Sequence, residues 1–167
     1  MKAVCSECID VGLPVARVYG FVADLARWPL WLSFVVCAQQ KGEPLRELAF
    51  EQELDICMQR GKRRWRESFD VVRCVPNAFL WLEGSLSAAR RLEFRFEQRR
   101  TGTRVHCSIG YPMYGGGLGA LRDALFERRT VAHELARSLM TLRTALEDVE
   151  HIEEGMPFGK ANQPLPA

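Results

Sequence analysis

No stretch of these 167 residues comes near the roughly 20 consecutive apolar residues that a membrane-spanning helix requires, which excludes a helical membrane protein. Neither sign of charge dominates. Lys and Arg number 23 against 21 for Asp and Glu, a formal net charge of +2. A chain so balanced has no broad basic field, so nucleic acid is not an expected partner. Histidine is scarce, with only His106, His133 and His151. No two of them share a strand face, and no Ser-His-Asp or Cys-His set is suggested. Cysteine numbers six. Cys5 and Cys8 have the spacing of a metal or redox pair. No second pair and no nearby histidine completes a zinc set, and residues three apart in a strand point to opposite faces. Neither a metal nor a cofactor is expected. The opening residues Met1-Lys2-Ala3-Val4-Cys5 lack the apolar core of a signal peptide, which implies a cytoplasmic protein whose thiols are reduced and buried.

The composition that is present, 47% apolar and 26% charged, suits one globular domain. That domain is expected over 1–151, with the Pro/Gly-rich stretch 152–167 as a disordered tail. Residues 2–11 read as a strand. Pro14 then opens a helix whose apolar residues Val15, Val18, Tyr19, Val22 and Leu25 recur at three and four, which predicts a helix over 14–27. Trp28-Pro29-Leu30-Trp31 ends it, because the residue before proline avoids helical geometry, and a second short turn of helix follows.

Strands are then predicted over 33–40, 48–58, 63–74, 79–86, 90–99 and 103–111. Short turns at Gly61, Pro76-Asn77 and Thr101-Gly102 make the sheet antiparallel. One face is apolar and needs a cover. The cover is a helix from Leu118 to Val149, apolar at three and four. It is about 48 Å long against about 33 Å for a ten-residue strand, so it runs the length of the sheet and projects beyond it. The fold class is α+β: a curved antiparallel sheet of about seven strands on a long C-terminal helix, with two short N-terminal helices.

Three stretches carry a family likeness. One is Leu13-Pro-Val-Ala-Arg-Val-Tyr-Gly-Phe-Val-Ala-Asp-Leu-Ala-Arg-Trp-Pro-Leu-Trp. Another is Gly102-Thr-Arg-Val-His-Cys-Ser-Ile-Gly-Tyr. The last is Gly115-Gly-Gly-Leu-Gly with the helix ending Leu139-Met-Thr-Leu-Arg-Thr-Ala-Leu-Glu. In this order they resemble the START-like, or SRPBCC, superfamily and specifically its polyketide cyclase/dehydrase branch. The resemblance implies a helix-grip fold, also called START- or Bet v 1-like, with an elongated cavity between sheet and helix. It implies an apolar, carbonyl-rich ligand such as a polyketide or lipid.

Strand alternation then names the residues that would line such a cavity, or fill it as a packed core. They include Leu54 and Ile56 on the predicted 48–58 strand, Trp65 and Phe69 on the next, and Trp81 after them. Phe94, Cys107 and Ile109 follow on the last two strands, with Leu135 on the helix. Polar residues in inward register are few: Gln52, Glu67, Glu83 and Tyr111. A buried carboxylate is costly unless it is paired, so Glu67 is the candidate general acid or base. Tyr111 and Gln52 are its hydrogen-bonding companions for a ligand carbonyl. Alternatively, Glu67 pairs with an inward-turned arginine, or a bulge turns it to water.

The aromatase/cyclases that the chain resembles carry an inward Ser and Arg on the equivalent strand. Here Trp65-Arg66-Glu67-Ser68-Phe69-Asp70-Val71 puts Glu67, Phe69 and Val71 inward instead. The basic hairpin Arg60-Gly-Lys-Arg-Arg-Trp-Arg reads either as a solvated sheet edge or as a contact for an acyl carrier protein, a membrane surface or RNA. Gly115-Gly-Gly is expected as a flexible lip or a plain turn. Three functions compete. The first is a cyclase- or dehydratase-type enzyme with proton transfer by Glu67 and Tyr111. The second is a non-catalytic carrier of a lipid, quinone or polyketide. The third is an interaction protein using the basic hairpin, like the family branch linked to quinone binding and ribosome association. The oligomeric state is not legible.

Overall fold

The computed structural model describes residues 2–42, 48–112 and 128–155. Seven strands form one antiparallel sheet: β1 (Lys2–Val11), β2 (Val35–Gln40), β3 (Glu53–Arg60), β4 (Arg63–Val75), β5 (Phe79–Gly84), β6 (Ser87–Arg99) and β7 (Gly102–Pro112). Their spatial order is β1-β7-β6-β5-β4-β3-β2. From β2 to β7 each strand pairs with the next, as short turns dictate. β1 is the exception. It pairs with β7 across the whole chain, Lys2 opposite Pro112 and Val11 opposite Thr103. Two short helices, α1 (Val15–Ala23) and α2 (Trp28–Trp31), carry the chain from one sheet edge to the other. The long helix α3 (Arg128–Gly155) packs against the sheet. It buries Val131, Leu135, Leu139, Leu142 and Leu146, a stripe at helical spacing. This is the helix-grip arrangement.

Several expectations are corrected. The predicted 14–27 helix breaks earlier, at Asp24, whose extended backbone ends α1. The Asp24 carboxylate accepts a hydrogen bond from the Ala26 N–H at 3.1 Å and caps a single 3-10 turn, Leu25–Arg27. Trp28 is helical although Pro29 follows it, because proline sits at the opening of α2 where no donor is required. The long helix continues to Gly155, so 152–155 is helix rather than tail. Its expected start at Leu118, the Gly115–Gly117 lip and the tail beyond 155 lie outside the described residues.

A further correction concerns the start of β3. Phe50 is 63% exposed and Gln52 is not a strand residue. Glu51 donates to the Val71 carbonyl while Gln52 accepts from the Val71 N–H, so two residues answer one, and Glu51 takes φ +63°. That extra residue throws the alternation out of phase. The Gln52 side chain turns back to accept from the Ala49 N–H at 3.1 Å.

Another concerns β5. Leu80 and Leu82 are buried, so Trp81 and Glu83 lie on the outer face. An unbroken apolar run, Phe79-Leu80-Trp81-Leu82, carries no phase of its own. Its neighbour sets it: Leu80 pairs with Phe94 and Leu82 with Leu92, the inward residues of β6. Trp81 instead stacks its ring beneath the Arg91 guanidinium, 5.7 Å away.

All six cysteines are free thiols. Only Cys5 and Cys107 are buried, whereas Cys8 and Cys37 are exposed and Cys57 and Cys74 half-buried, so the expectation of six buried thiols is corrected too.

Candidate functional site

The space between sheet and α3 is divided. At the end nearest α1 and α2 it is filled. Trp28 and Trp31 are fully buried and meet Phe94 edge-to-face, with ring centroids 6.1 and 5.7 Å apart. The Trp28 indole donates to the Val22 carbonyl at 2.7 Å. Ser138 of α3 accepts from the Ser33 backbone at 3.1 Å, which ties the helix to this corner.

At the other end, toward the β3–β4 hairpin, the inward stripe thins and a cavity of about 450 Å³ remains. This volume lies within the range of small-molecule sites. Its apolar wall comes from Phe34, Met58, Trp65, Phe69, Leu92, Ile109 and Val131, and its polar groups are Arg60, Arg63, Glu67, Arg90, Arg91, Tyr111 and Glu134.

The candidates fall into three groups. Glu67, Tyr111, Trp65, Phe69 and Ile109 come together on the cavity wall. Leu54, Ile56, Phe94, Cys107 and Leu135 face inward but are packed into the filled part of the core. Gln52, Trp81 and Glu83 point elsewhere, for the reasons given above.

Glu67 is buried, and its carboxylate is ion-paired with Arg90 of β6. Of the readings open to it in the sequence, two hold together: it lines the cavity, and it is partnered. The pairing offsets the cost of taking a carboxylate out of water. Arg90 shares the inward parity of Leu92, Phe94 and Phe96 on the predicted 90–99 strand, and that parity is the signal that could have found it. From β6 it reaches Glu67 of β4 across the place of β5 in the sheet. Arg60 likewise continues the inward parity of β3 and meets Glu134 of α3 at 3.0 Å.

The thiols offer no nucleophile inside. Burial, with the nearby Glu93 charge, pushes the Cys107 thiol well above its ordinary value and keeps it protonated. On the outer face, register sets Cys8 opposite His106, a neighbouring the sequence did not suggest, and His106 Nε2 lies 3.2 Å from Glu97. Among the described residues no group of three His, Cys, Asp or Glu is arranged to hold a metal ion. Nor is any helix there long and apolar enough to cross a membrane.

A seven-stranded sheet wrapped on one long helix, with a mostly apolar cavity between them, defines a helix-grip protein. The comparisons with known proteins make this more specific. The family model for polyketide cyclase/dehydrase and lipid transport proteins matches residues 3–147, and the chain belongs to that family. No curated protein matches it in sequence.

Solved structures match in fold. A Staphylococcus aureus protein of unknown function superposes with a TM-score of 0.70 at 9% identity, covering 90% of this chain and 97% of the other. BexL, a di-domain aromatase/cyclase from the BE-7585A biosynthetic pathway, gives 0.67 at 18% identity, over 87% of this chain and 50% of its own. StfQ, a di-domain aromatase/cyclase from the steffimycin biosynthetic pathway, gives 0.68 at 14%, over 90% and 52%. At these identities the likeness is one of fold. This chain corresponds in length to about half of each di-domain protein.

Proposed function

We propose that this protein binds an apolar, carbonyl-bearing small molecule, a polyketide or lipid, in the cavity between β3, β4, β6, β7 and α3. The observation that carries the reading is the cavity itself: about 450 Å³, walled by aromatic and aliphatic side chains, with Glu67, Arg90 and Tyr111 on the same wall. Apolar surface supplies affinity, and a few fixed polar groups orient the ligand. Native mass spectrometry of the purified protein, followed by organic extraction, tests it. An apolar molecule retained at one per chain is expected. A protein that arrives empty and also takes up no apolar dye contradicts the reading.

A second reading, catalysed cyclisation or dehydration, draws on the shared position of Glu67 and Tyr111. The Glu67 carboxylate would accept a proton from the carbon beside a ligand carbonyl. The Tyr111 hydroxyl would donate a hydrogen bond to the carbonyl oxygen, where negative charge develops. Glu67→Gln keeps the shape and a polar contact to Arg90 but removes the base. Catalysis predicts a loss of turnover of about 100-fold or more with binding retained; unchanged turnover assigns Glu67 to anchoring alone. An acyl carrier protein delivering such a chain would meet the exposed Lys62, Arg64 and Arg66 of the hairpin.

A further inference from the structure

Four arginines line the cavity, Arg60, Arg63, Arg90 and Arg91, and all but one of them meet a carboxylate among the described residues. On β3 the inward parity of Leu54, Ile56 and Met58 continues onto Arg60. On β4 that of Phe69, Glu67 and Trp65 continues onto Arg63. Arg60 and Arg63 are direct cross-strand partners, and both line the cavity. Arg90 and Arg91 of β6 complete the four. Three carboxylates answer the four arginines: Glu134 takes Arg60 at 3.0 Å, Glu67 takes Arg90, and Glu93 stands 3.9 Å from Arg91.

Arg63 has no carboxylate partner among the described residues. Its guanidinium carbon lies 5.9 Å from the centre of the Trp65 ring. The indole N–H of that same Trp65, a cavity-lining side chain, is buried with no hydrogen-bond partner. An unsatisfied buried donor is costly, and an acceptor brought by a ligand would satisfy it. Arginines that only keep a sheet edge soluble point away from the core. Arg64 and Arg66, on the opposite parity, fit that role. Arg63 does not, since it lines the cavity.

We propose that the ligand of this cavity is an amphipathic monoanion, a carboxylic acid with an apolar body, whose carboxylate is received by Arg63 beside Trp65. This rests on reading the cavity as a ligand site and adds the ligand's charge. One unmatched guanidinium accommodates one negative charge, and its planar fork matches a carboxylate. The long-stemmed side chain is exposed, so the contact is screened by salt.

Competition of dodecanoate and of methyl dodecanoate against an apolar fluorescent probe tests the proposal, at mildly alkaline pH and at low and high salt. The proteins compared are the native chain, Arg63→Gln and Arg64→Gln. In the native protein the acid binds about tenfold more tightly than its ester at low salt, and the margin narrows at high salt. Arg63→Gln brings the acid down to the level of the ester and leaves the ester within about twofold. Arg64→Gln changes neither. Equal binding of acid and ester to the native protein overturns the proposal. So does an Arg63→Gln loss shared by both compounds, or an Arg64→Gln effect as large as that at Arg63. If neither compound nor the probe binds, the cavity reading itself falls, a result distinct from ester bound as well as acid.

Discussion

Glu67 stands where the alternation of β4 puts it, between Trp65 and Phe69, and the arrangement is tolerable because Arg90 reaches it from β6. Which arginine would answer it was not legible. Arg90 and Glu67 are 23 residues apart and on strands separated by β5, so only the complete sheet brings them together. Cys8 and His106 make the same point on the outer face, being neighbours solely through the β1–β7 pairing. Thiol burial is a residue-scale property with a direct readout. With iodoacetamide on the folded protein, Cys8 and Cys37 should label first and Cys57 and Cys74 more slowly. Cys5 and Cys107 should label only after denaturation, Cys107 also because its raised thiol value leaves little thiolate. Peptide mapping reads this out; early labelling of Cys107 would place it outside the core.

Most elements were readable as patterns, and the failures have a common physical origin. β4 as far as Val71, β6 and β7 alternate cleanly, and their inward residues follow. β5 is an unphased apolar run, and the entry to β3 contains an extra residue; both needed a neighbour to fix them. Asp24, a helix-capping residue in the middle of a helical period, is a signal that periodicity alone overrides.

One backbone position at this scale is tightly constrained. Gly102 opens β7 at φ +142°, and a Cβ there would stand 2.1 Å from the Val11 carbonyl oxygen, where β1 ends. Gly102→Ala therefore forces apart the two strands that join the chain's beginning to its last strand. A loss of roughly 2–4 kcal/mol is expected, combining backbone strain with the steric displacement. Thermal unfolding measures it. A change below about 0.5 kcal/mol, the level of an indifferent surface site, would contradict the close approach.

At the scale of the whole molecule, one fold performs two tasks with one interior. Trp28, Trp31 and Phe94 lock the α1–α2 end of the grip and supply its packing, while the hairpin end gives up packing to leave a cavity. The sequence predicted the sheet, the helix and the apolar lining. Whether that lining met itself or enclosed space was not legible. Large side chains in inward register fill a core or wall a pocket equally well, and the difference depends on how α2 and α3 settle on the sheet.

The measurement that tests this division most directly is titration of an apolar fluorescent probe into the native protein and into Ile109→Trp, in which the added indole occupies the cavity. One saturable site per chain is predicted for the native protein, with affinity reduced about tenfold or more in the folded variant. No saturable site in the native protein, or an affinity indifferent to the added indole, would contradict it.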